Sequence, residues 1–185
     1  GRLGRSTLES VGLGDLLEDC DAIPLETVRL HVRGRSDLLP LRGVVGVSRE
    51  LLDQRLAREA VRGGAELLLH TRATREGDGR IVLQSDGSVL PIETRSVLLA
   101  GGLHAHDPED RPRGRGAMVG FGAMVTPGDP IGRIGTVEMV LGRDGYVGVA
   151  PLEDGRMTIA TALNARTVRR SGGPARVVER LLRGA

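Results

Sequence analysis

The sequence predicts an α/β unit joined to a predominantly β one, and three stretches carry that expectation. Ser48 precedes a run in which Leu52, Leu56 and Ala60 recur every four residues before Gly63 and Gly64, the pattern of a capped amphipathic helix with a glycine stop. Residues 96–100 run apolar without alternation and end at Gly101 and Gly102, as a buried parallel strand does. Residues 117–163 hold four apolar runs separated by Gly and Pro, the punctuation of strands and turns.

The remaining elements follow in order. Leu8, Val11, Leu13, Leu16 and Leu17 have a loose helical spacing interrupted by Gly12 and Gly14, which predicts a short helix and a turn. Val28, Leu30 and Val32 alternate, and residues 34–37 turn the chain into residues 38–41, a hairpin with one exposed face. Residues 65–70 and 80–84 read as strands, with Asp86 and Gly87 as a turn before Val89 and Leu90. A polar loop rich in Pro and Arg spans residues 104–115; strands are expected over 117–125, 135–141, 146–150 and 157–163. Val177, Val178, Leu181 and Leu182 then predict a closing helix over 174–182.

Composition removes several kinds of chemistry. All 26 basic residues are Arg, so no Schiff-base amine, phosphate-loop lysine or lysine base exists. The excess over 24 acidic residues is two and the signs are interspersed, which indicates neither a nucleic-acid footprint nor a polybasic membrane patch. Cys20 has no partner for an internal disulfide; it reads as a small buried apolar residue in a protein of the reducing cytoplasm. No signal-peptide pattern opens the chain and no apolar run approaches the eighteen or so residues of a membrane span, so a soluble protein without stable membrane insertion is expected. The first residue is Gly1 and not Met, which suggests a processed or trimmed chain or one taken from a longer frame. One Phe, one Tyr and no Trp argue against an aromatic platform for bases or sugars.

Two motifs carry a family resemblance. The pattern S-R-x-x-L-D-x-x-L-x-x-x-A-x-x-G-A begins at Ser48, and Gly145-Tyr146-x-Gly148-x-x-Pro151 follows some ninety residues later. Together, and in this order around a strand ending in Gly-Gly, they resemble the middle of FAD-dependent flavoproteins of the geranylgeranyl-reductase and aromatic-hydroxylase type. The resemblance implies a partial FAD-binding Rossmann-like domain of three-layer ββα form, residues 1–23 and 46–103, and a mixed β-sheet substrate domain roofing the flavin, residues 24–45 and 104–185. It implies that Arg49 points toward the ribityl and phosphate region of the cofactor, and that Gly101 and Gly102 allow cofactor approach, with Gly101 standing where the family commonly has Asp. Tyr146, Gly148 and Pro151 fall on a Tyr-x-Trp-x-x-Pro substrate motif, Gly148 replacing the Trp and leaving a roomier cavity. The implied activity is reduction or monooxygenation of an apolar or aromatic small molecule, with FAD as cofactor and NADH or NADPH as electron donor. No G-x-G-x-x-G follows an apolar strand run, so the chain reads as the central portion of such an enzyme, and no catalytic acid or base is assigned.

Two alternatives belong to other classes. One is a non-catalytic remnant or small-molecule binding module. The other is a metal-dependent hydrolase through His104 and His106, whose spacing after an apolar run suits metal ligands. That site lacks its remaining ligands, because His31 and His70 both precede the pair and no bridging Lys exists; no metal is expected. A Ser/His/Asp hydrolase is unsupported, since no G-x-S-x-G occurs.

Overall fold

The computed structural model describes residues 2–76, 79–98, 100–101, 117–126 and 135–184. In chain order its elements are α1 (Arg2–Ser10), a 3-10 turn at Gly14–Leu16, β1 (Ile23–Val32), β2 (Arg35–Gly46), α2 (Arg49–Arg62), β3 (Arg72–Arg75), β4 (Arg80–Ser85), β5 (Ser88–Glu93), β6 (Met118–Val125), β7 (Thr136–Gly142), β8 (Gly145–Pro151), β9 (Met157–Asn164), α3 (Ala165–Arg170) and α4 (Pro174–Arg183). They fall into two compact units, Gly1–Leu56 with Arg113–Ala185, and Ala57–Pro112.

The first unit is built on a mixed sheet of order β2-β1-β7-β8-β9-β6. β1 and β2 form a long hairpin closed by Arg33 and Gly34, whose φ values of 53° and 72° are both positive, as the primed two-residue turns that match strand twist require. The turn is therefore shorter and the strands longer than the alternation of three apolar residues suggested. β1 runs parallel to β7, and the pairs β7–β8, β8–β9 and β9–β6 are antiparallel. In continuous register, Val140, Val147 and Thr161 share one face of the sheet, all nearly buried. α4 covers that face: Val177 is 0% exposed, and a Cβ on Gly142 would run into Leu181. α3, which the sequence reading missed, starts at Asn164, whose side chain accepts from the N–H groups of Arg166 and Thr167 at 3.0 and 3.2 Å, an N-cap in the usual sense.

The second unit holds the meander β3-β4-β5, with Asp86 and Gly87 turning β4 into β5 as expected. Two strand expectations fail here. Residues 65–70 are not a strand: Ala65 N donates to Ala60 O at 2.9 Å and Gly64 takes φ 94°, a helix-terminating arrangement, and His70 at φ 53° turns the chain again. The first strand is consequently delayed to Arg72. In residues 96–100 the described positions are not strand either, and Leu98 is 92% exposed. A parallel strand must be bonded and covered by neighbours, and among the described strands none pairs with this segment. The overall class is as read: α/β plus β, a mixed six-stranded sheet with a second small sheet and few helices.

Candidate functional site

Opposite the face covered by α4, the large sheet of the first unit presents small side chains. Tyr146, Gly148 and Ala150 alternate onto this face of β8, beside Ala162, Ala160 and Thr158 on β9, which in turn pair with Gly120, Gly122 and Met124 on β6. Ala160, Gly120 and Gly122 are exposed, and Tyr146 is 38% exposed. A Cβ on Gly148 would meet Ala160 O at 3.7 Å and Met139 Cγ at 3.9 Å, ordinary contacts, so this glycine leaves space and is not demanded by close packing. Pro151, by the same alternation, belongs to the other face and closes β8 against Met157.

At the β6 end of this surface lies a cleft of about 430 Å³ lined by Val47, Ser48, Arg49, Gly122, Met124 and Thr158, among others. It brings Arg49, the first residue of α2, to the same opening as the small-residue face. The Arg49 side chain is 85% exposed and its Nε donates to both oxygens of Asp53 at 2.7 Å, an exposed i,i+4 pair worth at most a few tenths of a kcal/mol. Its position in the first helical turn opposes the helix dipole.

The entry into α2 is held from outside the helix. Ser48, 3% exposed, donates from its hydroxyl to Glu153 Oε1 at 2.5 Å and from its N–H to Glu153 Oε2 at 2.7 Å, while its Oγ accepts from Leu51 N at 3.2 Å. Glu153 sits in the turn between β8 and β9, where Leu152 N donates to Arg156 O at 2.9 Å. The turn itself is fastened by Asp154, which accepts from Arg156 N at 2.9 Å and from Arg156 Nε at 2.5 Å. The backbone N–H of Arg156 is the main influence holding the Asp154 carboxyl below the usual carboxylate range, and the guanidinium adds to it. On the other side, β2 ends at Gly46, where any Cβ would collide with the carbonyl of Pro151.

Nearby, Cys20 is 1% exposed and burial pushes its thiol up, Arg55 opposing the shift less strongly. A thiol of that kind is inert packing. A second polar cluster spans the parallel pair β1–β7: Glu138 bridges Arg29 Nε at 3.3 Å and His31 Nε2 at 2.7 Å. Gly101 is exposed and belongs to the second unit. Gly102, His104 and His106 lie outside the described residues. Sequence reasoning missed Glu153, because its partner is 105 residues away; the Ser48 cap was visible, but nothing nearby marked what completes it.

No protein-family model and no curated protein matches the chain. Solved structures do share its fold. A flavin-dependent brominase superposes with a TM-score of 0.68 at 11% identity, over 90% of this chain and 46% of that one. A peptidyl tryptophan dihydroxylase essential for tryptophylquinone cofactor biogenesis has a TM-score of 0.56 at 26% identity, over 95% and 41%. A geranylgeranyl bacteriochlorophyll reductase-like protein from Thermoplasma acidophilum has a TM-score of 0.61 at 14% identity, over 87% and 45%. The chain thus spans less than half the length of each. It shares with these enzymes a fold of a partial Rossmann-like domain with a β domain. Halogenases stand beside the reductases and hydroxylases that the motifs suggested.

Proposed function

We propose that the chain forms the part of an FAD-dependent oxidoreductase that meets both flavin and substrate, reducing or monooxygenating an apolar or aromatic small molecule with NADH or NADPH as electron donor, in the cytoplasm. The supporting observation is the cleft in which Arg49 borders the open small-residue face of the sheet. The residues fit a flavin there in two respects. The face carrying Gly148, Ala150, Ala160 and Ala162 has few polar groups and admits a flat apolar body, and Arg49 supplies a cation whose exposed side chain can turn to an anionic cofactor. Flavin, once bound, supplies the hydride or oxygen chemistry. The chain's own residues orient it, shape the cavity and keep water from the apolar side. In this reading Tyr146 and Gly148 belong to the open sheet face beside the cleft, Gly148 leaving room for substrate, and Pro151 fixes the strand end. Gly101 and Gly102 belong to the cofactor side in this reading, with residues 1–23 and 46–103 as the FAD-binding portion and 24–45 and 104–185 as the substrate domain.

The phosphates require other groups. The N-terminus of α2, which would suit an anion, is already filled by the Glu153 carboxylate. The chain is therefore expected to purify colourless and to bind added FAD weakly. Titration of FAD followed by flavin fluorescence tests this: Arg49→Ala should weaken binding about tenfold or more, the equivalent of a charge-assisted contact of about 1.5–3 kcal/mol. Binding that is unaffected by Arg49→Ala and by filling position 148 overturns the reading. Saturable FAD binding without NADH- or NADPH-dependent flavin reduction favours a binding module over an enzyme.

A further inference from the structure

From the interlock at the start of α2 we infer that Glu153 is a positioning residue: it locks the helix that presents Arg49 to the β8–β9 hairpin, whose Leu152 and Thr158 line the same cleft, so the two sides of the cleft keep one spacing. The Arg49 part of this inference rests on the flavin reading above; the interlock itself does not.

Four bonds converge on the corner. Both carboxylate oxygens of Glu153 are used, one by the Ser48 hydroxyl at 2.5 Å and one by the Ser48 N–H at 2.7 Å. The same hydroxyl accepts from Leu51 N at 3.2 Å, and Ser48 O accepts from Leu52 N at 3.1 Å. In a capping box the carboxylate that satisfies the N-cap N–H comes from the third residue of the same helix. Here that third residue is Leu51, which has no acceptor to offer, and the carboxylate arrives from the β8–β9 turn instead. The cap and the tertiary contact are thus one structure, and the helix cannot begin in its native place without the turn. Arg49 follows Ser48 directly, so its backbone is fixed by these bonds although its side chain is exposed. Glu153 in turn sits two residues beyond Pro151 on the strand that carries Tyr146 and Gly148. Two further contacts favour the same closure: Arg156 reaches Glu50 at 3.7 Å, and Gly46 abuts the Pro151 carbonyl.

The test uses Glu153→Ala, Glu153→Gln, Ser48→Ala and Arg49→Ala in the full chain. Without flavin, amide exchange at Ser48, Leu51 and Leu52, whose N–H groups are bonded in the interlock, should accelerate at least tenfold in Glu153→Ala, and exchange over α4 should not change. Glu153→Gln, which keeps one acceptor, should recover part of the protection. If Glu153→Ala does not fold, Ser48→Ala gives the same reading, since it removes the hydroxyl and leaves the N–H bond. Unchanged exchange at Ser48, Leu51 and Leu52 overturns the interlock whatever flavin does. With added FAD, Glu153→Ala should weaken binding as Arg49→Ala does, and the double variant should be less than twofold weaker than Arg49→Ala alone. Losses that multiply instead would make Glu153 merely structural and overturn the positioning role. Unchanged FAD binding in Arg49→Ala with accelerated exchange in Glu153→Ala overturns the flavin reading, and the positioning role with it, and leaves the interlock standing.

Discussion

Two glycines on β8, three residues apart, should respond to alanine in opposite ways. At Gly145, φ is 139° and an added Cβ would overlap Ala162 O and lie 2.9 Å from Leu163 Cα. All of these are backbone atoms of the paired strand and none can swing aside. Strain at a glycine-only φ costs about 1–3 kcal/mol, and forced overpacking costs a further 1–3 kcal/mol, so Gly145→Ala should lose about 2–6 kcal/mol. At Gly148 the same atom meets Ala160 O at 3.7 Å and Met139 Cγ at 3.9 Å. No clash follows, and loss of glycine's unfolded-state freedom should leave Gly148→Ala neutral or about 0.5–1 kcal/mol more stable. Urea unfolding at 25 °C on the two variants measures the contrast. A Gly148→Ala midpoint well below that of the parent, or a Gly145→Ala midpoint equal to it, would refute the assignment of β8 faces on which the open small-residue surface depends. Gly148→Trp extends the comparison: if the face is open, the melting temperature holds within a few degrees while FAD or substrate binding changes. A large drop returns Gly148 to a closed core.

Leu163→Ala removes a side chain that is 0% exposed between β8 and β6, and should cost about 2–5 kcal/mol in denaturant unfolding. Cys20 should resist a thiol reagent at neutral pH in the native chain and react at once in denaturant, because burial raises its thiol; native labelling at the unfolded rate would contradict its burial. Asp154 has a depressed folded pKa, so its contribution is fully present above the ordinary carboxylate range and is lost as pH falls through the depressed value. Asp154→Asn should therefore flatten the decline of melting temperature below about pH 4, and an identical acid limb in both proteins would show that the turn contributes nothing.

What could be read from the sequence was local and periodic. Ser48 with Leu52 and Leu56 described α2, the Gly-punctuated apolar runs described β6 to β9, and Val177 with Leu181 described α4. The failures came where neighbours decide. Apolar character at Leu67 to Leu69 and at Val97 and Leu98 suggested strands, yet strand formation depends on a neighbouring strand for its N–H and C=O groups, and these residues stand exposed outside every described strand pairing. The candidate site was half legible. Arg49 and Gly148 were singled out by motif, and both border the open side of the sheet. Glu153 was not, because a carboxylate that caps a helix across 105 residues leaves no trace in local spacing.

The parallel pairing of β1 with β7 has a consequence for how the chain is made. Thr27 and Thr136 meet hydroxyl to hydroxyl at 2.9 Å across a separation of 109 residues, and the whole second unit is strung between them. During synthesis at about 5–20 residues per second, the β1–β2 hairpin emerges and then waits roughly 5–20 s for the strand that covers its inner edge. Throughout that interval the hairpin shows an unpaired row of main-chain groups, the feature that invites pairing with another chain. The second unit is a local meander and can form in the meantime. For this protein, yield in the cell should be governed by how that exposed edge is sheltered, more than by the stability of the finished sheet.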